Sequence, residues 1–412
     1  MINFRMLKLS DLLIWGAVAF LIVIGLLAIF SATYHLQIRL DGDPYIFVKR
    51  QFFSFLIGFV FMWFFAYLDY EHLKTAAPWF YVVAIMLLFL ILFTGSTTMG
   101  AQRWLQIGFF TFQPSEFSKL AIIMILAYYL SANRDLNTWQ GLTSVGLLVM
   151  VPILLIFKQP DLGTAIVFFA ILLGMLVEGE VSLWTISFLL TPLISLICRP
   201  LLPLWIFFLL IISLGLFLAR ASFWQWLVIF GSNLMVGLAL PVMWGVLKPY
   251  QQMRIVSFLN PAADPLGAGY HTLQSCIAVG GGALLGKGFL HGTQTQLQFI
   301  PEQFSDFIFS AIGEEFGFVG SVFVLAAYAL LVWRAVSIAL QARDLFGRML
   351  AMGIAIMFAF HFFANVGMVI GILPVVGIPL PFVSFGGSSL MVNLACVGIL
   401  QSIAMRRQKL IF

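Results

Sequence analysis

The stretch LLIWGAVAFLIVIGLLAIF, residues 12–30, runs without a charge or a proline. A helix rises about 1.5 Å per residue and a bilayer's hydrocarbon core is about 30 Å thick, so a run of this length crosses it. No small-residue cleavage site follows, and the apolar core of a signal peptide is shorter, so the segment reads as an anchored first span. The pattern then repeats along the chain. Of 412 residues, 62% are apolar and only 9% charged, where a soluble domain carries about a quarter charged. The 44 phenylalanines suit lipid-facing helices better than a core under water. The fold class is therefore all-α: a polytopic integral membrane protein with about 10–12 transmembrane helices.

Spans are expected near residues 11–31, 48–68, 78–94, 115–131, 141–157, 161–177, 183–198, 203–219, 224–246, 306–333, 347–371 and 381–404. The pair 183–198 and 203–219 is short and bordered by Pro200 and Pro203. Counted as one hairpin it lowers the number of spans without changing parity. The net charge of +5 is spread out with no basic run, so nucleic acid is not an expected partner. The three cysteines, Cys198, Cys276 and Cys396, show no metal spacing. Nothing in the sequence pairs Cys198 with Cys276.

Orientation follows from the basic loops. Arg5 and Lys8 precede the first span, Arg406, Arg407 and Lys409 follow the last, and Arg334, Arg343 and Arg348 cluster around 334–348. These agree on both termini being cytoplasmic, although Lys49, Arg50, Lys158, Arg199 and Lys248 then face outward. Under that topology Arg103, Glu116, Lys119, Lys158, Asp161, Asp264, Lys287, Glu302 and Asp306 all fall on the outer side. Two of them open helices built around proline, in QPSEFSKL (113–120) and KQPDLG (158–163). There Glu116 and Asp161 read as helix-start carboxylates facing the positive end of the dipole. Lys119 lies three residues after Glu116, on the same face and inside the apolar zone. An ionisable group there requires a partner or a cavity. A Glu116–Lys119 pair is one resolution and a negatively charged ligand the other.

Residues 248–305 form the longest connection, expected to be a structured outer loop within a single membrane domain. Its GGGALLGKGFLHGTQTQLQF stretch (280–299) supplies glycines for tight turns and close backbone approach. Irregular backbone of this kind is tolerated at a membrane where it lines a cavity. The next span carries Glu314 and Glu315, with Glu314 about 12 Å down a helix from Asp306. Both carboxylates cannot face lipid, so they meet a buried donor or carry a proton. The last span begins with PLPFVSFGGSSL (379–390). Gly386, Gly387, Ser388 and Ser389 there read as small residues for helix packing, or as amides and hydroxyls offered to an anion.

Asp264 stands in NPAADPLGAGYHTLQS (260–275), which on residue chemistry alone is a turn before proline. Taken together, GAQRWLQIG (100–108), QPSEFSKL, KQPDLGTA (158–165), DPLGAGYHTLQS (264–275), GKGFLHGTQTQLQFIPEQFSDFIFSAIGEEFGFVG (286–320) and NVGMVIGILPVVGIPLPFVSFGGSSL (365–390) resemble the SEDS family. That family, named for shape, elongation, division and sporulation, polymerises peptidoglycan glycan strands. The resemblance covers nearly the whole chain apart from about 181–250, and GKGFLHGTQTQ with the short tails is closer to the RodA elongation branch than to the FtsW division branch. Residues 181–250 depart from the family's usual ten spans, holding three spans where one is usual.

The resemblance implies a bacterial cytoplasmic-membrane enzyme that uses lipid II, an undecaprenyl diphosphate bearing a disaccharide pentapeptide, on the outer leaflet. It implies Asp264 as the essential carboxylate, acting as general base in an inverting glycosyl transfer. Arg103, Lys119, Lys158 and Lys287 are then the candidate diphosphate partners. His271 and Gln274 are candidates for sugar or peptide contact. Glu302 and Asp306 would bind a cation or hold the loop to its helix. No cofactor is assigned, and a divalent cation is left open. The implied partners are a class B penicillin-binding protein and other elongation-complex membrane proteins. Two rivals stand beside this reading. A lipid II flippase would place its site near the midplane rather than at one face. A non-catalytic scaffold would require neither Asp264 nor the cations.

Overall fold

The computed structural model describes residues 9–94, 96–98, 101–107, 110–132, 139–246, 252–253, 256, 268–297 and 303–407. Asp264 and Glu302 lie outside the described residues. The chain begins with α1 (Leu12–Arg39), α2 (Ile46–Tyr67) and α3 (Tyr70–Thr94). Strands β1 (Ser96–Thr98), β2 (Ala101–Ile107) and β3 (Phe110–Phe112) follow. Then come α4 (Pro114–Ala132), α5 (Trp139–Lys158), α6 (Leu162–Glu178), α7 (Leu183–Cys198), α8 (Leu202–Leu218) and α9 (Phe223–Val246). The loop region supplies α10 (Ala268–Gly281) and α11 (Thr293–Leu297). The chain closes with α12 (Ile308–Leu340), α13 (Leu345–Val369) and α14 (Gly387–Met405). Among the described residues nine helices are long and apolar enough to cross a membrane, and α6, α7 and α8 are shorter apolar helices. Each of the twelve expected spans therefore has its helix.

Helix starts follow local chemistry. Asp11 caps α1 by accepting the Leu13 and Ile14 amides at 3.1 and 3.2 Å. Asp344 caps α13 through the Gly347 amide, and Pro203 sits in the first turn of α8, where its missing N–H costs nothing. Three boundaries differ from the sequence reading. Helix α3 starts at Tyr70 and runs through Pro78. Helix α12 runs on to Leu340, past the expected end at 333, and consists of two helical segments that meet at a kink at Gly317. Helix α14 starts only at Gly387, because 370–386 is irregular chain. The 95–112 connection, read only as a loop, contains an antiparallel meander in the order β1-β2-β3. Its strands are three to seven residues long, too short to show a period-two pattern above the apolar background.

Helices α2 and α14 pack most closely. A methyl added at Gly398 would overlap the Met62 carbonyl, and one at Gly58 would press within 2.7 Å of Leu394 Cδ1. Small residues let membrane helices approach this way, where apolar burial itself offers little because lipid is equally apolar. Helices α7, α8 and α9 pack on one another and join the remainder chiefly through α6 and α7.

The charges sort to the two ends of the bundle. At one, which we term the terminal end, the Asp11 amide donates to Gln401 at 2.8 Å and Gln401 donates back to the Asp11 carbonyl at 2.9 Å. Both ends of the described chain thus meet there. The same end holds Arg334 on Asp11, Arg348 on Glu178, Arg406 near Asp69 at 3.5 Å and Arg343 near Glu71 at 3.6 Å. Arg334, Arg343, Arg348 and Arg406, four of the basic residues from which orientation was read, are therefore gathered there and paired with acids, while Arg5, Lys8 and Lys409 lie outside the described residues.

Candidate functional site

The opposite, loop end is organised by a break in α12. Gly317 adopts φ 65°, in the left-handed region, which a side chain disfavours. The break interrupts the helix ladder, and the segment 283–288 supplies the missing partners. Lys287 and Gly288 amides donate to the Glu314 and Glu315 carbonyls at 2.9 and 3.1 Å, while the Phe318 and Val319 amides donate to the Ala283 and Leu284 carbonyls at 2.9 and 3.1 Å. The loop backbone is thus spliced into a membrane helix, with the polar groups at the splice satisfied within the protein. Gly286 also has positive φ, 81°, and a methyl there would overlap the Glu315 carbonyl.

Side chains lock the splice. Glu314 is fully buried. Its Oε1 accepts from Lys287 Nζ at 2.8 Å, Thr293 Oγ1 at 3.1 Å and the Gln294 amide at 2.9 Å. Its Oε2 accepts from the Thr295 amide at 2.8 Å and Thr295 Oγ1 at 2.7 Å. One carboxylate therefore holds α11 and Lys287 onto α12. Glu315 Oε1 accepts from Ser31 Oγ of α1 and from Gln296 Nε2 at 3.3 Å. Buried donors thus meet both side chains, five on Glu314 and two on Oε1 of Glu315.

Helix α10 leads into this clamp and rests on the end of α13, where Ser275 Oγ donates to the Val369 carbonyl at 2.8 Å. His271 and Gln274 stand on α10, partly buried. Asp264 lies four residues before α10 in sequence. Lys287 is partly exposed while paired with Glu314.

Segment 370–386 is irregular but thoroughly bonded. Asn365 Nδ2 donates to the Asp306 and Ile378 carbonyls, each at 2.8 Å. Ser384 Oγ donates to the Ser305 carbonyl at 2.6 Å, Gln51 Nε2 donates to the Ser384 carbonyl at 3.1 Å, and Tyr328 donates to the Pro381 carbonyl. Gly163 closes the other flank, where a methyl would come within 2.7 Å of the Val376 carbonyl. The partly buried Asp306 thus follows the loop into α12 beside this segment. Ser388, at the start of α14, donates to the Thr111 carbonyl at 2.9 Å and accepts from the Gln113 amide at 3.1 Å. Its hydroxyl ties α14 to the chain between β3 and α4.

Two further expected residues brace the junction of α5 and α6. Arg103 on β2 donates from Nε to the Gln159 carbonyl at 3.0 Å and from Nη2 to the Pro160 carbonyl. Asp161 caps α6 through the Thr164 amide at 3.2 Å and Thr164 Oγ1 at 3.0 Å, the helix-start role expected of it. Lys158 stands exposed at the end of α5.

Lys119 is buried and donates to Glu116 Oε1 at 2.8 Å. It also meets His361 Nε2 of α13 at 3.0 Å, while His361 Nδ1 lies 2.8 Å from the Met357 carbonyl. Glu116 thus pairs with Lys119 rather than capping a backbone amide, and sequence reasoning missed the third member. The signal was available: His361 is an ionisable residue inside an apolar helix, which by default marks a polar contact. We expect Lys119→Met to leave Glu116 as an uncompensated buried charge, costing about 3–5 kcal/mol. Glu116→Gln combined with Lys119→Met should recover most of that loss in thermal unfolding followed in detergent. Additive losses in the double variant would sink the pairing argument. Among the described residues no group of three or more His, Cys, Asp or Glu side chains is placed to hold a metal ion.

Fold and site together define a many-pass helical membrane protein with a loop spliced into a transmembrane helix at the end opposite the paired chain termini. The FTSW_RODA_SPOVE "Cell cycle protein" family model matches residues 11–199 and 185–409. The chain belongs to this family, as its motifs implied. It is 40% identical over 338 residues to the Escherichia coli K12 protein named peptidoglycan glycosyltransferase MrdB, covering 81% of this chain and 79% of that one. It is 34% identical over 420 residues to the Treponema pallidum protein named peptidoglycan glycosyltransferase RodA, covering 93% of this chain and 95% of that one. It also resembles, at TM-score 0.71 and 28% identity, a chain of a solved peptidoglycan synthase complex described as coordinating polymerization and crosslinking, over 97% of this chain and 98% of that chain. The closeness to the RodA branch read from GKGFLHGTQTQ agrees with these relatives.

Proposed function

We propose that the protein is a peptidoglycan glycosyltransferase that polymerises lipid II on the outer face of the bacterial cytoplasmic membrane during cell elongation. The observation that carries this reading is the match along the chain to relatives bearing that activity in their names. The geometry supports it, because the loop preceding α12 is held by Glu314 and the Gly317 splice at the end where the polar candidates gather. In the reaction Asp264 takes the proton from the 4-hydroxyl of the accepting sugar. The oxygen forms a bond to the anomeric carbon of the donor as the bond from that carbon to the diphosphate breaks, and the centre inverts. Negative charge grows on the departing diphosphate, where cations stabilise it most. Lys158, Arg103 and Lys287 are the exposed or partly exposed cations for this task, while Lys119, held by Glu116 and His361, acts from behind them.

His271 and Gln274 meet sugar or peptide, Glu302 and Asp306 hold the loop or a cation, and Ser388 fixes the floor of the site. Residues 248–305 are the outer loop and both termini are cytoplasmic, so the paired terminal end faces inward. The protein works with a class B penicillin-binding protein, which cross-links the strands, and with other membrane proteins of the elongation complex.

The test is purified protein with its penicillin-binding partner and lipid II in detergent, read as glycan polymer on a gel. Polymer made by the pair and absent without this chain supports the proposal. No polymer under any activating condition, with lipid II movement in vesicles, favours a flippase. Neither activity, with partner binding intact, favours a scaffold.

A further inference from the structure

Helices α7–α9 lie in the part of the chain that the family motifs do not cover, and their packing has a definite register. Ser195 Oγ donates to the Asn233 carbonyl at 3.1 Å and Arg199 Nε donates to the Gly237 carbonyl at 2.8 Å, both across 38 residues of sequence. Asn233 Nδ2 reaches Thr191 Oγ1 at 2.8 Å. Helices α7 and α9 therefore run parallel, and the end of α7 at Cys198 is level with residue 236. Helix α8 returns alongside, with Trp205 Nε1 donating to Ser195 Oγ at 2.7 Å. Its indole rests on Gly237, where a methyl would overlap the ring.

Helix α9 continues to Val246, about 15 Å beyond the tip of the α7–α8 hairpin at 1.5 Å per residue. That extension stays apolar and outward-facing, with Leu238 60% and Val242 69% exposed. The exposed Trp224 and Trp244 stand near the two ends of α9, about 30 Å apart at 1.5 Å per residue. That spacing matches tryptophan belts at two membrane interfaces. The tip of the hairpin, Arg199–Pro200–Leu201, begins level with Gly237 and so about 10 Å short of Trp244 along α9, with Pro241 between them; set against the tryptophan belt, that is acyl-chain depth.

A guanidinium at that depth is costly unless it draws water or headgroups inward. Arg199 is held in place by its Gly237 bond and by Trp205, with Cζ 5.1 Å from the ring centroid. Its Nη1 and Nη2 make no hydrogen bond among the described residues, leaving four N–H groups in the planar fork that suits phosphate oxygens. Around it Ile197 and Leu201 are exposed and apolar. We infer that Arg199 is a binding site for the phosphate of a bulk anionic membrane phospholipid, drawn below the headgroup plane into the step between the α7–α8 tip and α9. The step opens on the membrane face at which α9 leads into the loop carrying Asp264, and the inference stands independently of the reaction proposed above.

Native mass spectrometry of the full chain in detergent, titrated with phosphatidylglycerol, tests it. Arg199→Gln is expected to weaken one phosphatidylglycerol adduct about tenfold, and Arg199→Lys, which keeps the charge but loses the planar fork, to weaken it by a smaller factor. Superimposable titrations of wild type and Arg199→Gln would overturn the inference. So would a loss confined to undecaprenyl diphosphate, which would assign the site to the carrier lipid instead. A second measurement needs no variant. Phenylglyoxal modification of Arg199, read by peptide mass spectrometry, should slow several-fold with phosphatidylglycerol present and not with diacylglycerol. Equal modification in both lipids would overturn it as well.

Discussion

Asp264→Asn is expected to lower lipid II polymerisation by about 10²–10⁴-fold, the usual contribution of a positioned general base. Asparagine keeps the shape and most hydrogen bonds of aspartate but cannot take the proton of the attacking hydroxyl. The loss should therefore fall on turnover, with lipid II binding and the thermal unfolding midpoint in detergent close to wild type. The comparison that matters is with Lys158→Met and Arg103→Met. A cation that stabilises the leaving diphosphate should lower turnover and weaken retention of undecaprenyl diphosphate together. Arg103 also braces the α5–α6 junction, so its variant should lose stability as well, whereas the exposed Lys158 should not. Wild-type polymer yield from Asp264→Asn would remove Asp264 as the base and leave the reaction without one from this loop.

The second large effect belongs to Glu314, and its argument is geometric. Five donors converge on its two carboxylate oxygens, three on Oε1 and two on Oε2. Glutamine has one acceptor oxygen and one NH₂, so in either orientation it turns donors toward donors. Glu314→Gln should therefore fail nearly as badly as Glu314→Ala, at about 3–5 kcal/mol, the range for breaking a buried ion pair from one side. Hydrogen–deuterium exchange should show it first at the Gln294 and Thr295 amides, then at Lys287 and Gly288 as the splice into α12 loosens. The Gln401 contacts at the terminal end should keep their protection. Unchanged exchange across 287–295 in Glu314→Gln would mean that the splice holds without the carboxylate. Because α10 leads into this clamp and Asp264 lies four residues before α10 in sequence, the same variant should also lose polymerisation.

Much of this molecule was legible before any coordinates. Spans are long apolar runs, and a bilayer imposes their length, so each expected span has a helix even where a boundary moved. Asp161 was legible as a helix-start residue because capping is a local interaction within four residues of chain. The Glu116–Lys119 pair was legible for the same reason, being three residues apart on one helix. His361, 242 residues from Lys119, was not, because nothing local links them. The meander at 96–112 escaped notice because strands this short carry almost no periodicity.

The sequence by itself determined the class of protein and the family, since each rests on composition, span length or contiguous motifs. Tertiary structure alone decided what Gly286 and Gly317 are for. Only when the loop lies against α12 does it emerge that the amides and carbonyls freed by the break find their partners in the loop. It also decided that Arg199 stops short of the end of α9, because a step between α7 and α9 is a property of register between helices. The reason is the same in both cases: backbone hydrogen bonds and helix register pair groups distant in sequence, and an apolar environment makes those pairings obligatory without naming the partners in advance.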